Sequence, residues 1–285
     1  MPSTTASWAR PIKSFEEIPL VFKEHIDQSE ILPYIIYSPP DHWGERRTNA
    51  KLACLYQERI VILEVIENKV TTLCYLFKDI NSIEQGTMLL YSWVGIHGDI
   101  DGKLSFSILE YNSVVAVYFH PLVRGIRQSH FISNSIGDNR NLAKLDYLNI
   151  LNYKFFNYSH DAILSGEEIM QTVYQPTIYE KNLFFCTRIV TLGHLMILTD
   201  KELIIIKEEL IKEKGKSNIN NGGVWVYIPL HKISSITIDS NERMNVITLV
   251  VSVKQNDVSL IFSSIKLPDL EALIKEFKNL YKSDS

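Results

Sequence analysis

The sequence predicts a mainly β protein with some helix (α+β), built as two antiparallel β modules that are each closed by an amphipathic helix. Three observations carry this expectation. The chain repeats itself: Leu55-Tyr56-Gln57-Glu58-Arg59-Ile60-Val61-Ile62-Leu63 lines up with Leu198-Thr199-Asp200-Lys201-Glu202-Leu203-Ile204-Ile205-Ile206 at an offset of 143 residues. Each copy is an apolar strand end, a polar turn and a second apolar strand. Short β-branched and aromatic runs punctuated by turn residues fill most of the chain, the pattern of a meander that closes into a barrel or sandwich. Finally, the last segment has an apolar stripe at helical spacing.

The repeat continues. Phe77-Lys78-Asp79-Ile80-Asn81-Ser82-Ile83 matches Leu230-His231-Lys232-Ile233-Ser234-Ser235-Ile236 at an offset of 153, and Val117-Tyr118-Phe119 matches Leu260-Ile261-Phe262 with the offset back at 143. A period this long marks a duplicated domain, because solenoid units recur every 20 to 50 residues. The length of 285 residues also suits about two domains.

Taken in order, residues 1–28 read as a polar leader in which Ser14-Phe15-Glu16-Glu17 caps a short helix limited by Pro19. Residues 29–158 form the first module. Its strands are expected at Tyr34–Tyr37, Leu52–Leu55, Ile60–Val65, Val70–Leu76, Met88–Val94, Leu104–Leu109 and Val114–Phe119. From Asn141, Leu142, Leu145, Leu148, Leu151 and Phe155 define one apolar face of a helix over about 141–156, which closes this module or bridges to the next. Pro121 to Gln128 leaves room for only a short helix.

Residues 159–285 form the second module. Ser165-Gly166-Glu167-Glu168 has capping-box spacing for a short helix. Strands follow at Leu183–Cys186, His194–Leu198, Leu203–Lys207, Val224–Ile228, Ile233–Ile238, Val246–Val253 and Val258–Ser263. A closing helix over about 268–281 starts at Pro268 and carries Leu270, Leu273, Ile274, Phe277 and Leu280 on one face.

Seven strands and one amphipathic helix, twice over, resemble the bacterial pleckstrin-homology-like (PH-like) domains. The second half carries the resemblance over about 120 residues, through the Ser165–Glu168 opening, the Leu198–Leu203 hairpin, the Ile228-Pro229-Leu230-His231-Lys232-Ile233 strand entry and the closing helix. The first half follows it more loosely over residues 30–130. The resemblance implies tandem PH-like barrels or sandwiches serving as non-enzymatic binding or scaffold modules. The basic cluster that eukaryotic relatives spread across the first hairpin for phosphoinositides is not evident.

Composition narrows the function classes. The formal charge is −4, with 46% apolar and 22% charged residues, so the chain is an ordinary globular protein without the basic footprint of a nucleic-acid binder. Cys54, Cys74 and Cys186 lack C-x-x-C spacing; Cys54 and Cys74 sit in strand-like runs and are expected to be small buried hydrophobes. No apolar leader or membrane-length run is visible, which points to a cytoplasmic protein, with peripheral association at a membrane surface as the alternative. Enzyme signatures are absent: the eight histidines form no His-x-x-x-His pair, and Ser263-Ser264-Ile265-Lys266 lacks its companion motif. Asp99-Ile100-Asp101 fails as a calcium loop, because Lys103 and Leu104 stand where an oxygen ligand and glycine are required. No cofactor or metal is expected.

Binding is therefore sought in loops. Two insertions of about ten residues distinguish the repeats, Lys212–Gly223 in the second and Gly95–Gly102 in the first. Lys212, Lys214 and Lys216 form a basic cluster beside Asn and Gly residues, suited to an anionic headgroup at about 1 kcal/mol per lysine. The alternative is a solvated loop balanced by Glu208, Glu209 and Glu213. His42, Trp43, Arg46 and Arg47 lie in the most polar stretch of the first half, a surface loop suited to a partner. A peptide or protein partner bound at such loops or at an exposed sheet edge is the leading expectation. Peripheral anionic-lipid binding through 212–216 is the alternative, and a hydrolase of unrecognised type is a third.

Overall fold

A computed structural model of the chain describes residues 8–27, 33–43, 46–130, 141–181, 187–213, 216–241, 245–254 and 256–283. The fold is mainly β with helix, in several antiparallel sheets and with a C-terminal helix. It divides into two compact units, Met1–Phe131 and Ile132–Ser285. The boundary thus precedes the helical segment expected to end the first module.

In the first unit, β1 (Arg10–Ile12), β2 (Tyr34–Ser38), β5 (Lys51–Leu55), β6 (Arg59–Ile66) and β7 (Lys69–Leu76) form one sheet in that order. A small ribbon, β3 (His42–Trp43) and β4 (Arg46–Arg47), interrupts the β2–β5 connection. After a 3-10 turn at Phe77–Asp79 come β8 (Ile80–Met88), β9 (Tyr91–Ile100) and β10 (Lys103–Asn112), an antiparallel meander. A second 3-10 segment, Ser113–Tyr118, leads into helix α2 (His120–Ser129). The two groups of strands pack face to face without closing into a barrel: Tyr75 on β7 bonds Ser105 and Ser107 on β10, at 3.0 and 2.8 Å.

The opposite face of the first sheet is covered by residues expected to be a leader. Ile12, Ile18, Phe22 and Ile26 are buried with Ile35, Leu52, Cys54 and Leu63 in one apolar cluster. The 3-10 turn Phe15–Glu17 and the single turn α1 (Leu20–Lys23) carry them. These apolar side chains are separated by Pro19 and by charged residues, so their average polarity hides the fact that they share one face.

From the cover onward the second unit has the same order of elements, with no counterpart of β1 among the described residues. Its cover is a 3-10 turn (Leu142–Leu145), α3 (Tyr147–Leu151) and α4 (Tyr153–Ala162). The single helix expected over 141–156 is broken at Asn152, an extended residue whose side chain caps α4 through Phe155 N. Next come β11 (Ile169–Gln175), the ribbon β12 (Ile178–Lys181) and β13 (Thr187–Thr191), β14 (His194–Thr199), β15 (Glu202–Glu213) and β16 (Lys216–Pro229). A 3-10 turn at Leu230–Lys232 precedes β17 (Ser235–Asn241), β18 (Val246–Val253) and β19 (Asn256–Ser263). Helix α5 (Leu267–Ser283) closes the unit, lying against β11 with Leu270, Leu273 and Phe277 buried.

The cover lies on one face of the β11–β14–β15–β16 group, where Phe155 packs on Tyr174 and Tyr158 on Trp225. On the other face, His194 packs edge-on against Phe262 of β19, and Ser263 N donates to Gln175 Oε1.

Equivalent hydrogen bonds hold equivalent corners. Val65 N donates to Ala50 O as Glu208 N does to Gly193 O; Phe77 N to Glu58 O as Leu230 N to Lys201 O; and Ser113 N to Leu90 O as Ser264 N to Asn245 O. Several local expectations are corrected by the same geometry. Val114–Phe119 is mostly 3-10 helix rather than a strand, and the strand that corresponds to Leu260–Phe262 is β10. The return of the offset to 143 therefore has no structural counterpart, and Gly95–Gly102 is not an insertion but the end of β9 and its turn. Close approach explains those glycines: a Cβ on Gly98 would stand 2.9 Å from Asp79 O, and one on Gly95 2.9 Å from a Phe106 ring carbon.

Ser165–Glu168 makes a turn rather than a helix, and α2 is a full ten-residue helix where only a short one was expected. Cys54 is buried as expected, whereas Cys74 is exposed on β7. The expected strand Leu183–Cys186 lies outside the described residues. Among the described residues, no helix is long and apolar enough to cross a membrane.

Candidate functional site

The residues proposed from sequence fall on two different hairpins. In the first unit the loop expected around His42 is an ordered ribbon. Asp41 N donates to Thr48 Oγ1 (2.9 Å), Thr48 N donates to Asp41 O (2.9 Å), and His42 N donates to Asp41 Oδ1 (2.7 Å). These bonds clasp the two ends of the excursion. Beyond the clasp His42 pairs with Arg47 and Trp43 with Arg46 in antiparallel register. Directly opposed residues project from the same face of a ribbon, so the exposed His42 and Arg47 stand side by side. The side chains of Trp43 and Arg46 lie outside the described residues.

This ribbon joins the first two long strands of its sheet. The corresponding connection in the second unit is the β12–β13 ribbon, with register Glu180↔Arg188 and Lys181↔Thr187. Both units thus extend a two-stranded arm at the same connection.

The Lys212–Lys216 cluster lies at the third connection instead. The insertion lengthens β15 and β16 rather than forming a loop, pairing Lys212 with Ser217 and setting Lys216 across from Glu213. The register breaks between Glu208↔Gly223 and Leu210↔Ile219, so Asn220-Asn221-Gly222 bulge out of the ladder. Lys214 and the side chains of Lys212 and Lys216 lie outside the described residues. The sequence candidates therefore fall on separate hairpins of separate units.

The base of the second unit's arms is built from partly buried polar groups and one buried histidine. Glu208 accepts from Lys154 Nζ (3.4 Å) and Thr177 Oγ1 (3.3 Å), while Gly193 N donates to Thr177 Oγ1 (3.0 Å). His194, 2% exposed, shares a hydrogen bond between Nδ1 and Leu192 O (2.9 Å). Burial, opposed only partly by that backbone bond and reinforced by Lys207, lowers its pKa to about 4. It is neutral at physiological pH and serves as packing.

Two surfaces escaped the sequence reading. Leu89 and Leu90 form the β8–β9 turn, both largely exposed, with Leu89 at φ 53°. Val114, joined to the same corner through Ser113 N and Leu90 O, is exposed too. The second surface is β7, the last strand of its sheet, with Thr71, Thr72, Cys74 and Leu76 exposed. A turn pattern of Leu-Leu gives no recognisable turn chemistry, and edge position is a property of pairing order rather than of local sequence. Among the described residues, no group of three or more His, Cys, Asp or Glu side chains is placed to hold a metal ion.

Compared with known proteins, the chain matches no protein-family model and no curated protein sequence.

Proposed function

We propose that this chain is a non-enzymatic binding or scaffold protein, made of two PH-like modules, that recognises an acidic peptide or protein segment. The shared order of cover, four long strands, 3-10 turn, three strands, 3-10 turn and helix supports the duplication, as do the equivalent corner hydrogen bonds. The observation that carries the binding role is the clasped β3–β4 ribbon. It contributes His42 and Arg47 to solvent, yet its base is fixed by the Asp41–Thr48 bonds. Ordering a segment costs conformational entropy that burial ordinarily offsets; here a polar clasp does so, which preorganises cationic groups for a ligand. A guanidinium matches a carboxylate in a bidentate fork.

Selection of random displayed peptides against the full chain tests this reading. Acidic sequences are expected to be enriched, with affinity falling about tenfold in Arg46→Ala/Arg47→Ala, the loss typical of charge-assisted hydrogen bonds. Flotation with phosphatidylserine vesicles runs in parallel. Binding to vesicles alone, abolished by Lys212→Glu/Lys214→Glu/Lys216→Glu, would replace peptide recognition with peripheral lipid binding. Peptides that bind the arginine variant unchanged would remove the ribbon from the site.

A further inference from the structure

We propose that strand β7 is a self-association edge, which pairs antiparallel with β7 of a second copy of this chain about a two-fold axis at Leu73. This surface is separate from the ribbon and stands whether or not the ribbon binds peptides.

Hairpin geometry determines which backbone groups of β7 are free. Glu67 and Asn68 form a two-residue turn, both at positive φ (49° and 64°), between Ile66 and Lys69. A turn of this kind makes Ile66–Lys69 a hydrogen-bonded pair. Bonded and non-bonded pairs then alternate along the antiparallel ladder. Thr71, Leu73 and Tyr75 accordingly spend their N–H and C=O groups on β6, opposite Glu64, Ile62 and Ile60. Val70, Thr72, Cys74 and Leu76 direct theirs outward. Among the described residues, no other strand pairs with that side of β7.

Edges of this kind are usually blunted by charge, proline, bulges or a covering element. The other described edges follow that rule. Helix α5 lies on β11, β17 carries Asp239, β19 carries Asp257, and β10 carries Lys103 and Glu110. Strand β7 has none of these devices between Lys69 and Lys78: no charge, no proline, and a ladder to β6 without a register shift. The absence of charge also removes like-charge repulsion from a symmetric pair.

The outward residues select one register. With the axis at Leu73, Val70 meets Leu76 of the other copy and Thr72 meets Cys74, so every outward N–H and C=O finds a partner. An axis at Thr72 or Cys74 leaves an end residue against the turn or against Lys78. The Leu73 register also places the partly exposed Leu76 beside Val70, an apolar cross-strand pair. A patch of one strand from each copy is small, and small interfaces associate weakly and reversibly.

Sedimentation of the full chain between about 1 and 200 µM tests the proposal, a span suited to weak association. A concentration-dependent dimer is expected. In Thr72→Lys/Cys74→Lys the register sets like charges against each other, so the chain should be monomeric throughout with its circular dichroism unchanged. A crosslinking series supplies a second readout in a Cys74→Ser/Cys186→Ser background, with Cys54 buried. Leu73→Cys should form a disulfide-linked dimer on oxidation, because a non-hydrogen-bonded pair sets Cα atoms about 4.5 Å apart. Thr71→Cys should crosslink far less. A monomer at the highest concentration, a dimer that survives the double lysine change, or equal crosslinking at 71 and 73 would each overturn the proposal.

Discussion

Lys51 and His194 occupy the same place in the two units, at the start of the second long strand, and both are buried. Their surroundings are opposite. Lys51 Nζ donates to Ile108 O at 2.7 Å and lies 3.4 Å from the carboxylate of Glu64, its cross-strand neighbour. His194 faces Lys207 across the same ladder position, and among the described residues its Nε2 has no hydrogen-bond partner. The first unit therefore buries a cation with its counter-charge, and the second buries a base kept neutral by its surroundings. The two units accommodate this difference because their corner hydrogen bonds are made by backbone, which leaves side chains at corresponding positions free to differ in chemistry.

The largest expected effect breaks the covers. Phe22 in the first unit and Phe155 in the second are wholly buried under their sheets. Truncating either to alanine removes a large apolar side chain from a packed site, at a cost of about 3–5 kcal/mol. Hydrogen exchange resolved by segment should show Phe22→Ala loosening β2, β5 and β6, and Phe155→Ala loosening β11, β14 and β15. Exchange unchanged in the first unit after Phe22→Ala would mean that residues 8–27 do not hold the sheet.

A fall in pH sharpens the Lys51–His194 contrast. The folded-state pKa of His194, about 4, lies below its ordinary value of 6.5. The unfolded chain therefore binds the proton first. Stability is complete above pH 6.5 and is lost as pH falls toward 4, by about 3 kcal/mol at full protonation. Burial also lowers the pKa of His97 in the first unit, with Glu84 opposing the shift. The difference is therefore read against His194→Leu. That variant should flatten the loss between pH 6.5 and 4 in denaturant titrations; an identical slope in both proteins would show that His194 already accepts a proton in the folded state.

How much of this was legible in the sequence depends on whether a feature is local. The β5–β6 and β14–β15 hairpins announce themselves, because both are apolar strand, polar turn and apolar strand. The segments at Phe77 and Leu230 were readable as counterparts of each other, because each combines a short polar break with the apolar residues that follow, but not as 3-10 turns. The N-terminal cover is not. Ile18, Phe22 and Ile26 recur every four positions, but Pro19 interrupts that stretch and Ile12 lies outside the period, so only contact with the sheet makes the four residues one face. Val114–Phe119 misled for the converse reason. Its β-branched run favours a strand, but Asn112 caps it through Val114 N and the chain must turn there into α2. At the candidate site, the residues of the β3–β4 ribbon were visible as a polar stretch. The clasp was not, because Asp41 and Thr48 become partners only once the excursion folds back.

The smallest effect concerns the β8–β9 turn. Leu89 stands at φ 53°, a region that costs an L-residue with a branched side chain about 1 kcal/mol, whereas Asn tolerates it. The equivalent corner of the second unit already carries Asn245 at φ 51°, and its carbonyl accepts from Ser264 N as Leu90 O accepts from Ser113 N. Leu89→Asn should therefore raise stability by about 0.5–1 kcal/mol, and Asn245→Leu should lower it by a similar amount. Paired urea titrations of the two variants measure both. Opposite signs mean that the leucine is strained and that the fold does not require it, which directs attention to its exposed side chain. A loss of stability in Leu89→Asn would instead show that Leu89 packs against Val114 strongly enough to outweigh its backbone strain.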